Sequence, residues 1–80
     1  MRWTRKRESY SLSYYLTARY KNYKLRVEYS DIYKYFYFMT EDKDENNFNS
    51  FWEKKAYKTE EECKQACVKW IDNKINEVKI

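Results

Sequence analysis

Three groupings in the 80-residue chain carry residue types suited to chemistry. Cys63 and Cys67 stand four apart in a stretch with helical spacing. On one helix their Cβ atoms lie about 5–6 Å apart, beyond the roughly 3.5–4.5 Å that a disulfide needs. Two thiols without a third and fourth ligand make a poor zinc site, and both fall on an apolar stripe, so they read as small buried hydrophobes. Asp42, Asp44 and Glu45 offer oxygen ligands for a divalent cation, but the EF-hand spacing and its Gly are missing, which leaves a solvated loop. The third grouping is aromatic and basic: Tyr15, Arg19, Lys24, Arg26, Tyr33, Tyr35 and Tyr37. Tyr interleaved with Arg and Lys suits the stacking of bases, a protein hot spot, or a sheet held by cross-strand aromatic pairs with no binding role.

The composition excludes much else. The chain has no Gly, Pro or His, yet ten Tyr, four Phe and three Trp. Without Gly there is no phosphate-cradling loop and no dinucleotide fingerprint. Without His there is no Ser-His or Cys-His pair and no imidazole ligand. The expectation is a folded, non-enzymatic protein without metal or cofactor. Seventeen Lys and Arg against thirteen Asp and Glu give a net charge of +4, and the excess sits in the first half of the chain. Its sharpest part is Arg2, Arg5, Lys6 and Arg7 around Trp3. That basic arm (residues 1–8) reads as a solubilising terminus or, through Arg5 and Arg7, as a second contact for phosphate or an acidic protein face. No run approaches the roughly 18–20 apolar residues of a membrane span. Two cysteines without a disulfide framework point to the cytoplasm.

The elements that must position these residues follow from periodicity. Ser9–Arg19 alternates, with Tyr10, Leu12, Tyr14, Leu16 and Ala18 on one side, and reads as a strand. Lys21-Asn22 is a turn, since Asn tolerates positive φ where Gly is missing. Tyr23–Tyr29 alternates again, with Lys24, Arg26 and Glu28 opposite Tyr23, Leu25, Val27 and Tyr29. After a turn at Ser30-Asp31, Ile32–Thr40 is a third strand, its row Ile32, Phe36 and Phe38 facing the core and its row Tyr33, Tyr35 and Tyr37 facing out. An acidic loop at 41–49 leads to an expected edge strand, Ser50–Tyr57, with Glu53, Lys54 and Lys55 discouraging further pairing. Thr59-Glu60-Glu61-Glu62 is a capping box, and three glutamates in the first turn suit the helix dipole. Cys63, Ala66, Cys67, Trp70, Ile71, Ile75 and Val78 then mark the apolar stripe of a helix over 59–78. The fold expected is α+β: a single domain in which an antiparallel three- to four-stranded β-meander (9–57) packs on one C-terminal amphipathic α-helix, burying Ala66, Trp70 and Ile71 against Leu12, Leu25 and Val27.

This layout resembles a group of very small phage and prophage proteins. The likeness lies in the hairpin strand Tyr23-Lys24-Leu25-Arg26-Val27, the aromatic strand Tyr33–Met39, and the helix start Tyr57-Lys58-Thr59-Glu60-Glu61-Glu62-Cys63-Lys64 running to Trp70-Ile71. More faintly, the chain resembles the three-stranded-sheet-plus-helix DNA-binding domains of phage integrases and plant transcription factors, which carry Gly in their hairpin turns. The phage likeness implies a protein of the anti-CRISPR, anti-defence type, a monomer or weak homodimer acting in the host cytoplasm. Its expected partner is a host protein, such as a CRISPR–Cas effector nuclease, bound through the Tyr/Arg sheet face. A nucleic-acid-binding domain using the same face and the basic arm, or a phage assembly component, are the alternatives.

Overall fold

The computed structural model describes residues 2–7 and 14–78. They form a five-stranded antiparallel meander in the order β1 (Thr4–Arg7), β2 (Tyr14–Tyr20), β3 (Tyr23–Ser30), β4 (Tyr35–Glu41) and β5 (Asn47–Asn49). A 3-10 helix, Ser50–Glu53, and the helix α1, Glu60–Val78, follow. The α+β architecture is the one the pattern predicts, and the stripe of α1 closes one face of the sheet. Leu16, Leu25, Val27 and Phe38 from the strands meet Cys63, Cys67 and Ile71 from the helix, all buried. Trp70 stacks on Phe48 at 4.5 Å and meets Tyr23 edge-on at 6.4 Å, sealing one flank of that core. The segment 8–13, with Leu12 of the predicted core, lies outside the described residues.

Four differences from the sequence expectation have physical causes. Residues 4–7 of the basic arm are not a loose terminus but a strand, pairing Thr4 with Thr17 and Arg7 with Tyr14. Charge hides its pattern, because every residue of it is exposed and no apolar row marks a face. The strand expected from Ile32 begins three residues later, at Tyr35. Ser30 ends β3 by accepting the Tyr33 N–H at its hydroxyl (3.1 Å) and the Lys34 N–H at its carbonyl (2.8 Å), and Lys34 turns left-handed at φ 61°. Ile32 therefore sits in a turn, 84 % exposed, and not in the core.

The expected strand at 50–57 is replaced by a relay along the outer edge of β4. Asn47–Asn49 pairs with Met39–Glu41 inside what reads as the acidic loop. The buried Ser50 hydroxyl then accepts the Phe38 N–H at 3.0 Å, and Tyr57 exchanges both backbone hydrogen bonds with Phe36. Between Ser50 and Tyr57 the chain leaves the sheet, because the Asn49 side chain accepts the Phe51 N–H at 2.9 Å and caps the 3-10 turn. What remains of the acidic loop is a knot: Asp42 Oδ1 accepts the N–H groups of Asp44 (2.8 Å) and Asn46 (3.0 Å).

These turns share a device. Lys21, Asn22, Lys34, Glu45 and Lys54 all have positive φ without being Gly. Lys21 and Asn22 form the tight hairpin turn whose twist suits antiparallel strands. Each of the other three follows a Ser, Asp or Asn side chain that takes up a backbone N–H in its own turn. The helix end is as the capping pattern requires: Thr59 Oγ accepts the Glu62 N–H at 3.1 Å, and Glu60 pairs with Lys64 at 3.2 Å. Among the described residues no helix is long and apolar enough to cross a membrane.

Candidate interaction face

The side chains that alternate with the core row project from the opposite face of the sheet. From β2 come Tyr15, Thr17 and Arg19; from β3, Lys24, Arg26 and Glu28; from β4, Tyr35, Tyr37 and Met39. The strand register places Tyr15 beside Glu28 and Arg19 beside Lys24, with Glu28 beside Tyr37 on the next strand. The predicted Tyr15, Arg19, Lys24, Arg26, Tyr35 and Tyr37 are thus brought onto one surface.

That surface has two ends joined by a locked centre. The Arg26 guanidinium lies 3.8 Å from the Tyr15 ring centre and pairs with Glu28, which in turn accepts a hydrogen bond from the Tyr37 hydroxyl. Cation–π contact and ion pair together hold the Arg26 side chain in one pose. Toward β5, the aromatic end is organised by Phe51, which the 3-10 turn carries back over the sheet. Tyr35 stacks on Phe51 at 6.3 Å with planes 13° apart, and Tyr37 meets it edge-on at 5.9 Å. Tyr33, from the β3–β4 turn, reaches the same ring at 5.7 Å. Ile32 joins Phe51 and Tyr37 around a shallow pocket there. The large apolar groups exposed among the described residues collect at this end: Ile32 84 %, Tyr33 61 % and Phe51 38 %, with Trp52, 68 % exposed, next in the chain.

At the other end of the strands lies the cationic end, a depression of about 810 Å³ that runs across the sheet from β1 to β5, lined by Arg2, Lys6, Arg19, Lys24 and Arg26, with Thr17, Met39, Glu41 and Asn47 among its other walls. Lys24 stands 3.9 Å from Glu41 across the strand pair. The expected Arg5 and Arg7 are not part of it. Alternation along β1 turns them to the helix side, where Arg5 covers the Tyr14 ring at 4.4 Å and lies 3.9 Å from Glu60. Tyr14 also donates to Glu60 at 3.2 Å, so Arg5 helps to tie β1 to the start of α1.

Sequence reasoning missed Arg2, Lys6 and Phe51 as members of the face. Lys6 had a signal, since it must point opposite Arg5 and Arg7 once the segment is taken as a strand. Phe51 had none in its periodicity; only the Asn49-Ser50 pair hinted at a cap and a change of direction.

The other groupings serve structure. Cys63 and Cys67 are free thiols in the core, and burial pushes Cys63 up to about 12 and Cys67 higher still, so neither is a poised nucleophile. Hydrogen bonds from Asn46, then from Asp44, hold Asp42 below the ordinary carboxylate range. Asp72 is lowered likewise by Lys21, at 2.9 Å, and by the Tyr20 hydroxyl, at 2.8 Å, a contact that pins the β2–β3 turn to α1. Among the described residues no three His, Cys, Asp or Glu side chains are grouped to hold a metal ion. Comparison with known proteins finds no matching family model, no similar curated protein and no similar solved structure.

Proposed function

We propose that this chain is a non-catalytic binding protein that docks on another protein through the outer face of its sheet. In this reading it is a phage-type inhibitor of a host defence complex, such as a CRISPR–Cas effector nuclease, and works in the host cytoplasm. The observation that carries the docking reading is the aromatic end, where Ile32, Tyr33 and Phe51 stay exposed together beside Tyr35 and Tyr37. Exposed apolar groups gathered in one place mark interaction sites. Aromatic anchors whose rotamers are already fixed lose little entropy on binding. The small size and the resemblance noted above supply the anti-defence part of the reading.

The same geometry weighs against a base-stacking platform. A base needs an open ring face, yet Tyr15 is covered by Arg26 and Tyr35 by Phe51.

The test is capture from a bacterial lysate, washed at high salt, with nuclease-treated and untreated halves compared. The parent chain should retain a stoichiometric protein in both halves, and Tyr33→Ala/Phe51→Ala should lose it, each hot-spot truncation costing about 1–3 kcal/mol. Captured material that vanishes with nuclease would replace this reading with nucleic-acid binding. The retained protein, once purified with its complex, is then assayed for loss of nuclease activity on addition of the chain.

A further inference from the structure

We infer that the cationic end of the face is a seat for an acidic protein segment, whose Asp and Glu carboxylates pair with Arg2, Lys6 and Arg19. The inference rests on the docking reading above and gives the partner's chemistry. Among the described residues the five cations that line the depression face a single carboxylate in its wall, Glu41, and they are not equivalent. Lys24 already has Glu41, and Arg26 is engaged with Glu28 and Tyr15. Arg2, Lys6 and Arg19 are exposed and form no ion pair with a carboxylate of the described residues. Three positive charges on a concave wall are thus left uncomplemented by the described residues, and a recess of this kind focuses their field.

The strands fix their spacing. Arg19 is on β2, Lys6 on the adjoining β1 and Arg2 just before it, while Thr4 and Thr17 are direct partners between them and offer hydroxyl donors on the same face. Arg guanidinium groups take carboxylates in a two-point fork, which a lone Lys cannot do. The carboxylates of Glu41 and Glu28 stand on the inner side of these cations, so the positive track is short and bounded. An evenly charged phosphodiester chain running along the face would meet both acids, and its bases would find Tyr15 already covered by Arg26. An acidic segment seated on Arg2, Lys6 and Arg19 that turns apolar as it runs on toward Tyr35 and Phe51, at the other end of the strands, meets like with unlike. Three strand spacings, about 14 Å, separate β1 from β4, which a few extended residues span.

The experiment uses the full chain, isotope-labelled for NMR, titrated at low ionic strength with a short Glu/Asp-rich peptide and, separately, with an oligodeoxythymidylate of equal charge. The peptide should shift the amides of Lys6, Thr17 and Arg19 and bind more tightly than the oligonucleotide. Lys6→Glu/Arg19→Glu, at two exposed positions, should keep the far-ultraviolet circular dichroism of the parent and lower peptide affinity about tenfold or more. Shifts centred on α1, affinity unchanged in the charge-reversed chain, or tighter oligonucleotide binding would each overturn the seat. The lysate capture separates this failure from that of the docking reading. If charge reversal leaves capture intact while Tyr33→Ala/Phe51→Ala abolishes it, the seat is wrong and docking stands. If neither variant affects capture, docking through this face is wrong as well.

Discussion

Phe38 and Tyr37 are neighbours on β4, and their rings do opposite things. Phe38 is 2 % exposed, sandwiched among Leu25, Val27 and the cysteines of α1 and flanked by Phe48 and Tyr57. Tyr37 lies half-buried on the other face, its ring against Phe51 and its hydroxyl on Glu28. The helix face of the sheet is thus a dry core, and the outer face is a lattice of rings and charges that stays in contact with water. Both are rich in aromatics. What differs is the cover: a 19-residue helix on one side, and on the other, among the described residues, Phe51 alone, brought over by a four-residue turn. Aromatic content by itself therefore says nothing about which face folds the protein and which presents it.

The contrast can be broken first at this pair. Phe38→Ala should cost about 3–5 kcal/mol, enough to unfold much of so small a domain, whereas Tyr33→Ala on the outer face should change stability by no more than about 0.5 kcal/mol. Urea titrations of the two variants, read by circular dichroism, compare them directly. Similar losses would mean that the outer cluster is also core.

A smaller effect sharpens the role of the β4 edge that both faces share. Ser50→Ala leaves the buried Phe38 N–H without its acceptor and should destabilise by about 1–3 kcal/mol. Amide exchange should then quicken at Phe38 before it does on β2. Unchanged exchange there would show that the Ser50 hydroxyl is not the bond that stitches this edge.

The smallest effect belongs to the two thiols and to alkaline pH. In the unfolded chain Cys63 ionises near 9.0, and in the fold it is held protonated to about 12. The folded state therefore keeps its proton longer, so the stability from neutral, buried thiols is complete below pH 9 and is lost as pH rises toward 12. At pH 10 the loss is about 1 kcal/mol per thiol. Cys63→Ala/Cys67→Ala, although less stable at neutral pH, should show a flatter stability profile between pH 8 and 10, with the unaltered profile as the result that would refute it.

Much of this architecture is legible in the residues. The meander and the helix follow from Leu25, Val27, Phe36 and Phe38 at period two and from Cys63, Cys67, Trp70 and Ile71 at helical spacing, with Thr59 marking the helix start. These signals are local: an apolar row states its own period, and a capping side chain bonds within four residues of itself. The same alternation placed Arg26, Tyr35 and Tyr37 on the outer face.

Only the tertiary structure decided the rest. Nothing in Thr4–Arg7 announces a strand, because its pattern is set by the edge of β2 that it joins and not by an apolar face of its own. Arg5 and Lys6 are alike in charge and adjacent in the chain, yet pairing sends one to the Tyr14 ring and Glu60 and the other into the cationic depression. Phe51 reaches Tyr33, Tyr35 and Tyr37 because Asn49 and Ser50 turn the chain out of the sheet. Contacts of this kind join residues far apart in sequence, and no period along the chain encodes them.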